Sequence, residues 1–147
     1  MSKSADILKD PQASGVYFIK GAFRVSDLEE LAGSRSLTFF HVRGTEIDGK
    51  DRFLSQAATA LAFPEYFGNN WDAFEDCLTD MSWHEAKGFV VLFDHIDGFA
   101  GRSAEDFQTA VAILKDVAEF WRNRGKTFLA FLSGTGADRW GLPSVML

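Results

Sequence analysis

Three stretches of the chain are compact, apolar and rich in β-branched and aromatic residues: 37–42 (LTFFHV), 88–93 (GFVVLF) and 127–132 (TFLAFL). Continuous apolar runs of this length read as strands buried on both faces. A shorter run, 15–19 (GVYFI), reads as a further strand near the N-terminus. Between these runs the period changes from two to between three and four. Phe53, Leu54, Ala57, Ala58 and Leu61 mark a helix over 51–61, which the Phe63-Pro64 pair closes. A second helix spans 70–81, with Asn69 or Asn70 available to cap it. Phe107, Ala110, Val111, Leu114, Val117 and Trp121 form the stripe of a long helix from 104 to about 124, with Ser103 placed to cap it and Gly125 to stop it. A short helix opens at Ser26, with Glu29 in capping-box position, and ends near Gly33.

Buried strands separated by helices predict an α/β fold: a small parallel sheet of three core strands plus an extra N-terminal strand, covered by helices. Strand order is not legible at this level. The chain divides into a flexible leader (1–14), an N-terminal extension (15–36), a core (37–133) and a Gly-rich tail (134–147), with 15–133 expected to form one domain.

Charge changes this picture in one place. Residues 53–86 contain six of the 21 acids and none of the 15 Lys and Arg, so this one stretch carries the whole formal net charge of −6. Asp72, Asp76 and Asp80 stand at i, i+4 and i+8 of the 70–81 helix. At about 100° per residue they share one arc with Glu75, while Phe74, Leu78, Cys77 and Met81 fill the other and Trp71 lies at the border. The preceding loop, PEYFGNN, offers an aromatic pair, Tyr66 and Phe67, with Gly68 and two asparagines as a contact loop. Such a surface repels nucleic acid and attracts a cationic partner. Like charges at i, i+4 cost a helix about 0.2–0.5 kcal/mol each, so stability alone does not favour the pattern.

Other chemistries find less support. Paired acids perform glycosidase chemistry or hold Mg²⁺, but hydrolytic pairs flank their substrate from different elements, and these share one helix face. Cys77 lies on the apolar arc and reads as packing. His41, His84 and His95 form no ligand pattern, and SGTGADRWG near the C-terminus lacks a P-loop lysine. No catalytic residue, metal or cofactor is expected. One cysteine permits no intrachain disulfide and suits a cytoplasmic setting, and no apolar run approaches the ~20 residues that span a membrane.

The segment 64–79, PEYFGNNWDAFEDCLT, resembles the barstar family of intracellular ribonuclease inhibitors. The resemblance rests on the Pro-Glu-Tyr-aromatic-Gly loop, the Asn before the helix, Asp72 and Asp76, and the Asp-Cys-Leu-Thr run. The order strand, helix, acidic helix, strand, long helix, strand over 37–133 is similar to that fold as well. The resemblance implies that the acidic helix and its loop plug the active site of a cationic, guanyl-preferring ribonuclease. Asp76 would then be the central phosphate mimic, Asp72 its flanking partner, and Tyr66, Gly68, Asn70 and Thr79 further contacts. Glu75, Trp71, Asp80 and Met81 depart from the family pattern inside this surface, and the family's long-helix acid would align near Phe120. Those departures keep open an alternative, a module of the same fold whose acidic face binds a basic protein that is not a ribonuclease.

Overall fold

A computed structural model describes residues 7–65, 67–84 and 86–147 of the 147-residue chain. Five parallel strands form the sheet: β1 (Gly15–Ile19), β2 (Thr38–Arg43), β3 (Gly88–Asp94), β4 (Thr127–Leu132) and β5 (Ser144–Val145), in the order β2-β3-β4-β1-β5. The helices are α1 (Val25–Ser34), α2 (Lys50–Ala60), α3 (Trp71–Asp80), α4 (Asp97–Arg102) and α5 (Ala104–Arg122). Pro11–Ala13 and Ala137–Arg139 are single 3₁₀ turns.

The continuous apolar strands are explained by burial on both faces. Every residue of β3 and β4 is buried. Side chains of a strand alternate between faces. Phe89, Val91 and Phe93 of β3, with Phe128, Ala130 and Leu132 of β4, therefore face α2, α3, α4 and α5. Val90, Leu92, Leu129 and Phe131 face Leu28 and Ala32 of α1 on the other side. Phe53 of α2 centres the larger layer. Its ring stacks on Phe93 and Phe99, at centroid distances of 5.6 and 5.0 Å, and meets Phe74 of α3 edge-on at 5.5 Å.

The α/β class and the parallel sheet agree with the sequence pattern, but the sheet is larger than expected. The N-terminal strand is not an appendage: β1 pairs with β4 from Gly15↔Leu129 to Phe18↔Leu132 and is interior. The tail supplies a fifth strand, pairing Phe18↔Ser144 and Ile19↔Val145. Nor do residues 7–14 behave as a loose leader. Leu8 is 2% exposed, the Ser14 hydroxyl accepts the Phe128 N–H at 3.0 Å, and Arg122 Nη1 donates to the Ser14 carbonyl at 2.8 Å. These anchors are polar or solitary, so no hydrophobic period announces them.

Two expected caps are absent. α1 starts at Val25 after Arg24 with no side-chain cap, and Ser103 instead donates to the Asp48 carbonyl at 3.2 Å. The short α4, DGFAGR, escaped prediction because two glycines and six residues leave no helical period. α5 stops as expected. Gly125 sits at φ +72°, and the Lys126 N–H returns to the Trp121 carbonyl at 3.0 Å.

Candidate functional site on the acidic helix

α3 owes its position to its inner face. Phe74, Cys77 and Leu78 are buried, and Trp121 of α5 donates its indole N–H to the Leu78 carbonyl at 2.9 Å, meeting one of the acceptors a helix C-terminus leaves open. Asn70 caps the other end. Its Oδ1 accepts the Ala73 N–H at 2.8 Å and its Nδ2 donates to the Gly68 carbonyl at 3.3 Å, so one side chain fixes both the helix start and the loop before it. The loop is further held by Phe67, whose N–H reaches the Pro64 carbonyl at 2.9 Å and whose ring meets Phe63 edge-on at 5.1 Å. Phe63 also packs near Phe74 and Trp83. The contact loop and the helix thus rest on one aromatic cluster.

The outer face carries the charge. Asp72, Asp76 and Asp80 are exposed and Glu75 is partly buried. Among the described residues none of these four carboxylates makes an ion pair or a side-chain hydrogen bond, and the carboxylate–imidazole contacts found, His41–Asp94 at 2.7 Å and His95–Asp94 at 3.7 Å, lie elsewhere. Eight residues at 1.5 Å each make the row from Asp72 to Asp80 about 12 Å long. Thr79 spends its hydroxyl proton on the helix backbone, with Oγ1 2.9 Å from the Glu75 carbonyl and 3.3 Å from that of Asp76, so toward a partner it can only accept.

Phe67, Gly68, Asn70, Asp72 and Asp76 line an open concavity of about 370 Å³, together with Ala73 and Cys77. Glu75, Thr79, Asp80 and Trp71 do not line it. Trp71 is engaged inward, 5.8 Å from the Phe53 ring and 6.0 Å from Phe74, with the Lys50 ammonium 5.8 Å from its own ring centroid. Tyr66 lies outside the described residues. Two of the lining residues carry no signal in the sequence pattern. Ala73 and Cys77, one residue after each aspartate, are small enough to leave room beside the carboxylates. Burial pushes the Cys77 thiol above its ordinary range, and the Asp80 and Asp76 carboxylates push it further, so at neutral pH it is a neutral thiol.

The arrangement suits recognition by charge. Unpaired carboxylates accept short, charge-assisted hydrogen bonds from Arg, Lys or protonated His of a partner without first breaking a bridge of their own. Among the described residues no cluster of three or more His, Cys, Asp or Glu side chains could hold a metal ion. Nor does any helix of the described residues have the length and apolarity to cross a membrane.

The family model described as Barstar (barnase inhibitor) matches residues 37–133, which include α2, the loop, α3 and strands β2 to β4. The chain belongs to the barstar family. Outside the matched range, β1 and β5 extend the sheet beyond β4, and α1 packs on its second face. No curated protein matches the sequence. Among solved structures, the chain is similar to the Aeropyrum pernix ORC2 protein in its ADP form, with a TM-score of 0.63 at 18% identity over 99% of this chain and 46% of that one. It is also similar to Cdc6p from Pyrobaculum aerophilum, with a TM-score of 0.56 at 13% identity over 95% of this chain and 40% of the other. This barstar-family chain therefore spans less than half the length of those proteins. At such identities the likeness is one of fold.

Proposed function

We propose that this protein is an intracellular inhibitor of a cationic, guanyl-preferring ribonuclease, and that it acts by laying α3 and the 64–70 loop over the enzyme's active site. The observation that carries this reading is a row of carboxylates, unpaired among the described residues, on a firmly anchored helix, in a chain whose family is described by barnase inhibition. A site built to hold RNA phosphates is lined with cations. Asp76, which lines the concavity, would take the donors that a phosphate takes, with Asp72 one turn away. Gly68 presents backbone without a side chain, and the loop covers the flank. The protein contributes no chemistry of its own; it excludes substrate.

One observation favours a second reading. Glu75 and Asp80 extend the negative charge beyond the concavity, so the acidic face fits a longer basic surface than a single phosphate pocket. A basic protein that is not a nuclease would meet the same face.

The two are separated by capture from the source organism's lysate and secreted fraction, with wild type beside Asp72→Ala/Asp76→Ala. A basic ribonuclease retained only by wild type supports inhibition. A non-nuclease retained only by wild type moves the function to the second reading, and equal retention by both proteins removes α3 as the site.

A further inference from the structure

The carboxyl ends of β1, β3 and β4 surround a second crevice, of about 470 Å³, that shares no residue with the concavity on α3. Its position follows from topology. After β1 the chain turns to α1, on the side of the sheet that packs Leu28 and Ala32. After β3 it turns to α4 and α5, on the opposite side with Phe99 and Phe107. β4 lies between these strands, so the loops diverge to opposite faces and leave a cleft at its end. In open parallel sheets this point of divergence is where small ligands enter.

The walls differ in chemistry. Ile19, Phe23 and Val25 supply an apolar wall, and His95, Asp97 and Ser133 supply a hydrogen-bonding one. The polar wall is held by unusual backbone. His95 adopts φ +49°, and its N–H donates to Ser133 Oγ at 3.3 Å, which leaves the hydroxyl proton free to donate. Gly134, at φ +154°, lies so close to Asp97 that a Cβ there would stand 2.6 Å from Oδ1. Only glycine permits this approach. Left-handed non-glycine residues cluster at functional sites because the surroundings must hold them there. The His95 side chain is 69% exposed at the crevice mouth.

Among the described residues, the Asp97 carboxylate is the one acidic group of the lining and no Lys or Arg lines it. That balance disfavours phosphate and favours hydroxyl or amino donors on a ligand that also carries a flat, weakly polar ring. The volume falls within the roughly 300–1,000 Å³ of small-molecule sites. We propose that this crevice binds a free nucleoside, with the base against Phe23 and Val25, the ribose hydroxyls donating to Asp97, and Ser133 and His95 completing the hydrogen bonds. A carboxylate at a strand end taking ribose hydroxyls is a recurrent solution to this recognition problem. The site is independent of the protein-binding face.

The test is ligand-observed NMR titration of the intact chain with adenosine, guanosine, cytidine and uridine, each beside its 5′-monophosphate. At least one nucleoside binds wild type, its monophosphate binds about tenfold more weakly or worse, and Asp97→Asn weakens the nucleoside by about tenfold or more. Ala22→Trp, a substitution on the exposed crevice rim, abolishes binding by filling the cavity and serves if Asp97→Asn fails to fold. Absence of binding by all four nucleosides overturns the proposal. So does a monophosphate that binds more tightly than its nucleoside, or nucleoside binding that Ala22→Trp leaves unchanged.

Discussion

The two faces of α3 obey opposite rules. The inner face is apolar, closely packed and capped at both ends, with Phe74, Leu78 and Cys77 buried and the Asn70 and Trp121 side chains meeting backbone groups. The outer face gathers four carboxylates and, among the described residues, gives none of them a partner. Stability accounts for the first face and not for the second, where Lys at position 76 or 80 would relieve repulsion. Substitutions on the two faces should therefore separate folding from binding.

The largest expected effect is on the inner side. Phe53→Ala removes the ring shared by Phe74, Trp71, Phe93 and Phe99 and should cost about 3–5 kcal/mol, read from denaturant unfolding. Near-neutral stability in that variant would mean that the aromatic cluster does not hold the site in place. On the outer side, Asp76→Ala should weaken the partner complex by about 10- to 100-fold with an unfolding midpoint at or above wild type; Asp72→Ala should weaken it by less, with a stability change of no more than about 1 kcal/mol, because Asp72 stands in the first turn of α3 where the helix dipole favours a negative charge. A binding loss accompanied by a matching loss of stability would erase the distinction between the faces. Raised salt should slow association far more than it speeds dissociation, since the exposed acids act through long-range attraction.

Asn70→Ala sharpens the comparison because Asn70 serves both faces. Loss of the cap should cost about 0.5–2 kcal/mol and also loosen the 64–70 loop, so stability and affinity fall together. The smallest effect belongs to Asp80→Lys, which replaces an i, i+4 repulsion with Asp76 by an attraction. It should stabilise the chain by a few tenths of a kcal/mol in thermal unfolding while reducing affinity.

These expectations rest on features that were unequally legible in the sequence. Strands buried on both faces declare themselves through unbroken apolar runs, and β2, β3 and β4 emerged within a residue or two of their observed ends. The acidic arc of α3 was readable because helical geometry alone places 72, 76 and 80 together. The tail strand was not: Ser144–Val145 has two residues and no period, and it exists because β1 offers it an edge. The caps failed where a serine found a better partner, as Ser103 does in the Asp48 carbonyl. Within the site, sequence placed the carboxylates but not the concavity beside them, because a cavity is made by the small side chains at 73 and 77 and by the path of the loop. It put Trp71 at the border of the two arcs, where it stands half-buried, but gave no sign of the ring contacts with Phe53 and Phe74 that engage it. The crevice at the strand ends joins residues from three separate loops and has no linear signature at all.

In the function proposed here, the outer face of α3 blocks a ribonuclease. The most direct test of that function is an inhibition titration of the partner ribonuclease, with RNA cleavage as the readout, using wild type and Asp72→Ala/Asp76→Ala in parallel. Wild type should abolish cleavage stoichiometrically, and the double variant should shift the titration far to the right while staying folded. Equal inhibition by both proteins, or undiminished cleavage with wild type bound, would contradict that function.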